Sequence, residues 1–327
     1  MIFRKQTVAT VALNLRPRRG PYGGANQWAA QMSTALRRSG YRVVYRLDER
    51  VDLVMGTHLG VSGRPSFSWE EVALAKARSP RLRVIQRIND NDVRKGTSEM
   101  DSILSSANKI ADHTVFVSAW LRDHHAAGWF DLRRPHSVIE PGADPAVFHP
   151  IGNRAWRDGE PFRFVTHHWS DNMAKGFDVY AAMDEAIASG VVEDFELWVI
   201  GRWPAQIRWR AARTFSPASG RELAGFLRGA HAYVSASRFE PGAMHPVEGI
   251  QCGLPLLYHA DSGGTVGVGE KFGLCLADDV ASSMNAMRDA YAQLRQRVLR
   301  DPPSGDRMCL EYRRLIQREL ALAADTV

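Results

Sequence analysis

The sequence predicts an α/β protein built as two doubly wound, Rossmann-like domains, each a parallel sheet covered by helices. Three observations carry that expectation. Short β-branched, apolar runs alternate along the whole chain with segments whose apolar residues recur at helical spacing. The polar stretch IGNRAWRDGEP interrupts this alternation, which then restarts with the same rhythm. The length, 327 residues, is long for one core and comfortable for two.

The first half opens MIFRKQTVATVALNL, basic and then apolar like a signal peptide. It has no small-residue cleavage site, so TVATVALNL is expected to be a buried first strand. ANQWAAQMSTALRRSG follows as a helix, with Trp28, Met32, Ala35 and Leu36 on one face and Gly40 as its stop. Strands are expected at YRVVYRL, VDLVMG, LRVIQRI and HTVFVS, with helices at WEEVALAKAR, SEMDSILSSANKIA and AWLRDHHAAG. The second half runs FRFVTHH (strand), GFDVYAAMDEAIASG (helix), FELWVIG (strand), GRELAGFLRGA (helix) and HAYVSAS (strand). A helix around HPVEGIQCG and another buried strand come next. DPPSGD is expected to be a hinge before a last helix, RMCLEYRRLIQRELALAA. The predicted division is 1–150 and 151–305, with 306–327 packing back on the first domain. Ligands are then expected at the carboxyl ends of the strands, in a cleft between the domains.

Composition narrows the function. The chain is 45% hydrophobic and 24% charged, as in globular proteins, and no apolar run approaches the ~20 residues needed to span a bilayer. Three scattered cysteines have neither metal nor redox spacing, which suits a reducing cytoplasm. A net charge of +6 favours an anionic partner. Nucleic acid is disfavoured, because the aromatics are not interleaved with basic runs. Basic clusters at Arg16, Arg18 and Arg19 and at Arg295, Arg297 and Arg300 suit solvated faces or peripheral contact with the inner face of a membrane.

Three stretches carry candidate chemistry. In GPYGGANQW, Gly23 and Gly24 sit between strand and helix, where backbone N–H groups and the helix dipole favour an anion. The full G-x-G-x-x-G spacing is missing, which disfavours a dinucleotide site. In SDNMAKGFDVY, Lys175 and Gly176 lie where a loop enters a helix, within reach of a phosphate. In SRFEPGAMHPVEGIQCGLP, Glu240 and Glu248 bracket a loop of small residues. A carboxylate only accepts hydrogen bonds and can take two at once, which suits a vicinal diol. Two carboxylates with phosphate donors between them outline a nucleotide-sugar.

At these residues the sequence resembles the retaining glycosyltransferases of family 4, which have the GT-B fold. Glu240 and Glu248, with seven residues between them, are followed by CGLP (Cys252–Pro255) and by Gly263-Gly264, in the family's register. VIEPGADPAVFHP is similar to the family's inter-domain signature, keeping Gly142, Asp144, Phe148 and Pro150. Gly23-Gly24, Lys175-Gly176 and Ser118 match further pieces, so the resemblance spans the chain. It implies a hexosyltransferase that retains configuration and uses a nucleotide-diphosphate sugar, UDP- or GDP-linked, without a metal or other cofactor. Glu240 would hold the transferred sugar, Glu248 the ribose and Lys175 the diphosphate. Backbone groups at Gly23, Gly24, Gly242, Ala243 and Met244 would assist, and the base would lie against RTFSPAS. Asn89 stands where the family has a catalytic histidine; Tyr22, Asp90 and His168 are expected on the acceptor side.

The chain departs from the family in places. The arginine shortly before the lysine is replaced within HHWSDN, one positive charge fewer unless His168 or another residue supplies it. Asn89 hydrogen-bonds but does not titrate, and Gly242-Ala243 shifts the loop's central glycine. DND (Asp90–Asp92) mimics a metal-binding D-x-D, but its place after a first-half strand favours acceptor contact or a plain loop. The doublets His124-His125 and His167-His168 are not expected to face one ion from adjacent positions. Trp169 is a candidate for stacking on a ligand. A sugar-nucleotide binding protein without turnover and a nucleotide-sugar epimerase are the alternatives. The acceptor, whether glycan, lipid or small molecule, is not specified by these residues.

Overall fold

The computed structural model describes residues 7–20, 22–47, 50–58 and 65–325. The chain divides into two compact units, one formed by Met1–Glu140 with Asp306–Val327, the other by Pro141–Gly305.

In the first unit the chain runs β1 (Thr10–Leu13), α1 (Gly24–Arg38), β2 (Arg42–Val44), β3 (Leu53–Thr57), α2 (Trp69–Arg78) and β4 (Arg83–Ile88). It continues through α3 (Asp92–Lys95), α4 (Met100–Asn108), β5 (His113–Phe116), α5 (Ala119–Gly128) and β6 (His136–Val138). All strands pair in parallel in the order β2-β1-β3-β4-β5-β6. Because helices cover both faces, β1, β3 and β5 are buried at every position, which is why they appear in the sequence as continuous apolar runs rather than alternations. Local capping sets the helix starts. Ser68 and Glu71 form a reciprocal capping box on α2, and Ser118 Oγ accepts from Leu121 N at 3.1 Å to start α5.

The second unit contains β7 (Phe162–His168), α6 (Phe177–Ala188), β8 (Phe195–Gly201), β9 (Arg213–Phe215), α7 (Gly220–Arg228), β10 (Ala232–Ser235) and α8 (Met244–Gln251). After them come β11 (Leu256–Tyr258), α9 (Val266–Phe272), β12 (Gly273–Cys275) and α10 (Val280–Arg300). Its parallel sheet has the order β12-β11-β10-β7-β8-β9, the doubly wound arrangement whose direction of winding reverses between β7 and β10. The last helix, α11 (Gly305–Ala324), buries Met308, Cys309, Tyr312, Leu315 and Ile316 against Val11, Trp28 and Leu53 of the first unit.

The division falls at Glu140/Pro141, ten residues before the predicted position. The signature segment itself explains the shift. Ala143 pairs with Ser304 and accepts from Gly305 N at 2.8 Å, while Phe148 is buried in the second unit's core. A Cβ on Gly142 would lie 2.2 Å from the Ser304 carbonyl oxygen, so only glycine permits this backbone-on-backbone contact. Asp144 closes the following turn, its side chain accepting from Ala146 N and its carbonyl from Phe148 N.

The basic clusters are not uniformly solvated. Arg295 turns inward to donate to Asn153, and Arg16 lies over the Tyr45 ring. No described helix is long and apolar enough to cross a membrane.

Candidate functional site

In an open parallel sheet, two loops diverge at the carboxyl ends of the strands where the winding reverses, and the gap between them is where ligands bind. In the second unit those loops follow β7 and β10. The first carries Lys175 and the second Glu240, and the two side chains meet there as a largely buried ion pair.

Each loop is held by backbone geometry. Gly176 has φ +85°, and a Cβ there would lie 2.3 Å from the Ala236 carbonyl oxygen; the glycine lets the Lys175 turn press against the Glu240 loop. Arg238 N donates to Ala174 O at 2.9 Å, and its guanidinium grips Asp178 at 3.1 and 2.6 Å. Ala236 N donates to the Tyr180 hydroxyl at 2.9 Å. On the other side, Ser262 Oγ donates to Ser237 O, Phe239 N to Asp261 O and Gly264 N to Glu240 O. The Gly263-Gly264 pair therefore braces the glutamate loop from behind. Phe239 itself has φ +55°, rare for a residue with a bulky side chain, so the residue before Glu240 carries backbone strain.

Glu248 projects from α8 and is 1% exposed. Its Oε2 accepts from His167 Nε2 at 2.9 Å, while Oε1 is buried with no hydrogen-bond partner. Behind His167, Tyr233 OH lies 3.1 Å from His167 Nδ1 and 3.0 Å from His245 Nδ1, and accepts from His167 N. In the tautomer with Nε2–H turned to the carboxylate, Nδ1 takes the phenol's proton, and His245 donates in turn to the phenol oxygen. Burial raises the Tyr233 pKa well above its usual value, so the phenol stays neutral. The network fixes one oxygen of Glu248 and leaves the other with its acceptor capacity unused.

The remaining predicted second-unit residues lie around this centre. Gly242 and Ala243 lead into α8, Ala243 is its N-cap without a side-chain acceptor, and Met244 is its first residue. RTFSPAS spans β9 and the turn into α7. Trp169 follows β7 and is 39% exposed. His168 departs from expectation. Its ring is buried, with Nε2 3.0 Å from both Thr166 Oγ1 and Tyr180 OH. Burial, then Lys175 and His167, hold its pKa well below the usual value, so it offers neither a surface contact nor a positive charge.

Tyr22, Gly23, Gly24, Asn89 and Asp90 belong to the first unit. Gly23 is the N-cap of α1 with φ +81°, Gly24 its first residue, and Tyr22 is exposed. Asn89 Oδ1 accepts from Thr57 Oγ1 just past the end of β4. Asp90 is buried and pairs with Arg94 at 3.3 Å. The DND stretch is a capping device. Asn91 caps α3, and Asp92 accepts from Thr97 Oγ1, Met100 N and Asp101 N. The His124-His125 expectation also needs correcting, because both rings approach Asp101 Oδ2, at 3.6 and 3.8 Å. Adjacent helical residues achieve this because Asp101 comes in from α4, between the two rings. His125 is nevertheless engaged at both nitrogens, by Asp90 O and by the Trp129 indole N–H.

Sequence reasoning passed over His167, Tyr233 and His245. A signal existed for His167: in a strand, neighbouring side chains take opposite faces, so one member of the His167-His168 doublet had to face α8.

The fold defined by these two sheets is GT-B, and solved structures with that fold superpose on nearly the whole chain. Sucrose-phosphate synthase from Thermosynechococcus elongatus matches with a TM-score of 0.71 at 15% identity, covering 96% of this chain and 100% of that one. HepE from Anabaena, solved with UDP and glucose, matches with a TM-score of 0.67 at 12% identity over 94% and 99% of the two chains. The catalytic domain of starch synthase IV from Arabidopsis thaliana, bound to ADP and acarbose, gives 0.67 at 10% identity over 97% and 100%. No protein-family model and no curated protein matches the chain.

Proposed function

We propose that the chain is a glycosyltransferase that moves a hexose from a nucleotide-diphosphate sugar to an acceptor hydroxyl, with retention and without a metal. The observation that carries this reading is the convergence, where the second sheet's winding reverses, of a lysine, a buried glutamate and a second glutamate with one buried oxygen unpaired. Two structural neighbours hold nucleotides, HepE with UDP or with UDP and glucose and starch synthase IV with ADP and acarbose, which supports a nucleotide-linked sugar as donor.

On this reading Glu248 Oε1 accepts from the ribose diol, and the His167 network keeps that carboxylate in place. Donor binding exchanges the Lys175–Glu240 contact for two others: the ammonium meets the diphosphate and the carboxylate meets sugar hydroxyls. Lys175 and the amides at the start of α8 then stabilise negative charge as the diphosphate departs. The acceptor oxygen forms its bond to the anomeric carbon from the leaving-group face. The carbon–phosphate oxygen bond breaks with its electron pair, and the acceptor's proton passes to a phosphate oxygen. Asn89, in the first unit, is a hydrogen-bonding group suited to an acceptor hydroxyl.

Calorimetric titration of the full chain with UDP-glucose, ADP-glucose and GDP-mannose tests the reading, with Glu248→Ala as comparator. At least one donor is expected to bind, and the variant to lose about 10-fold or more in affinity for nucleotide and nucleoside alike. Unchanged affinity in the variant would remove the ribose assignment. Binding without hydrolysis or transfer across a broad acceptor panel would replace the enzyme by a sugar-nucleotide binding protein.

A further inference from the structure

Under the nucleotide-sugar reading, on which this inference rests, the donor site is one positive charge short. A diphosphate leaving group carries more negative charge than one lysine balances, and the ring of His168 is neutral and buried. Another cation stands at the same sheet edge. Arg202 directly follows β8, and its backbone N–H donates to His168 O at 3.1 Å, which pins it beside the end of β7. Its guanidinium lies over the indole of Trp169, with Cζ 4.5 Å from the ring centroid. Trp169 begins the loop that ends in Lys175, a turn closed by Asn172 N to Ser170 Oγ at 3.1 Å and Lys175 N to Asn172 O at 2.9 Å.

What distinguishes Arg202 is that it joins side-chain donors not taken up by a carboxylate to a place just past the carboxyl end of a strand. Of the unit's other ring-stacked arginines, Arg163 is paired with Glu196 at 2.8 Å, Arg288 donates to Asn285 and to Glu193 O, and Arg213, over Trp198 and Phe215, opens β9 and so stands at the start of a strand. Arg202 is exposed, and no carboxylate pairs with it among the described residues. Stacking on an indole holds a guanidinium flat while its N–H fork faces outward, the geometry that takes two oxygens of a phosphate at once.

We propose that Arg202, held on Trp169, is the second cation of the donor diphosphate site, supplied from the end of β8 rather than from the loop after β7. The chain thus keeps two positive charges on the leaving group despite HHWSDN. Trp169 acts as a positioning residue for it.

Calorimetry on the full chain tests this with whichever base the wild type binds, using the nucleoside, its diphosphate and its diphosphate sugar. Arg202→Ala is expected to weaken both diphosphate ligands about 10- to 100-fold while leaving nucleoside affinity within about twofold. Arg202→Lys recovers part of the loss, because it returns the charge without the fork, and Trp169→Ala loses in the same sense but less. An exposed side chain changes the unfolding midpoint little, so a folding defect is separable. Equal losses for nucleoside and diphosphate, or no loss for either, overturn the inference while the nucleotide-sugar reading stands. A wild type that binds no nucleotide at all removes that reading, and this one with it.

Discussion

The two units carry parallel sheets of equal size, six strands each, but equip the reversal points differently. In the second unit the loops after β7 and β10 bring together Lys175 and Glu240, and the next turn of backbone sets Glu248 against His167. In the first, the reversal lies between β1 and β3, and the groups beside it are neutral amides and hydroxyls with one buried cation, Arg87, whose Nη1 donates to Thr57 Oγ1 at 3.4 Å. Asn14 exchanges hydrogen bonds with Thr57 N and O at 3.0 and 2.8 Å, and Thr57 Oγ1 donates to Asn89. Buried charge is costly to desolvate: the second edge sets its ammonium against a carboxylate, whereas Arg87 rests over the Trp28 ring. One edge therefore carries an ion pair and the other a cation among neutral donors and acceptors.

Three measurements break or sharpen that contrast. The largest effect is expected from Gly176→Ala, which puts a Cβ 2.3 Å from a carbonyl oxygen at a positive φ. A loss of about 4 kcal/mol in urea unfolding is predicted; a loss under about 1 kcal/mol would mean the Lys175 and Glu240 loops are not in fixed contact. Next, Lys175→Met removes the cation beside a buried carboxylate and should cost about 3 kcal/mol. A double-mutant cycle with Glu240→Gln reads the coupling directly, and a coupling near zero would make the second edge no more charge-linked than the first.

The smallest effect concerns a feature the units share. Burial holds both His113 in the first unit and His231 in the second at about 4. Each accepts at Nδ1, His113 from Arg318 Nη2 and His231 from Arg163 N, an arrangement only an uncharged ring permits. Unfolded histidine takes up its proton near 6.5 and the folded rings only near 4, so between those values the unfolded state binds more protons and stability falls as pH falls. Denaturant midpoints at neutral pH and near pH 4.5 should show His113→Gln and His231→Gln each removing about 2 kcal/mol of that decline. A decline left intact in one variant would assign acid sensitivity to the other unit alone.

The legibility of the fold varied with element length and burial. Long periodic segments such as α1 and the buried runs β1, β4, β7 and β8 were apparent because covered parallel strands and amphipathic helices leave strong local patterns. β9 and β12, three residues each, are too short to show a period. α10 buries Met284, Met287, Tyr291, Leu294 and Val298 at helical spacing, but the arginines between them make the same stretch read as a charged surface segment.

By itself the sequence determined the two sheets, the helix carrying Glu248 and the small-residue loop before it, since these follow from local propensity and periodicity. Only the tertiary structure decided which polar groups meet. That Lys175 lies against Glu240, 65 residues away, that His167 rather than His168 faces Glu248, and that Arg202 rests on Trp169 all depend on which strands become neighbours. Strand order is set by non-local packing, and no pattern within a short window encodes it.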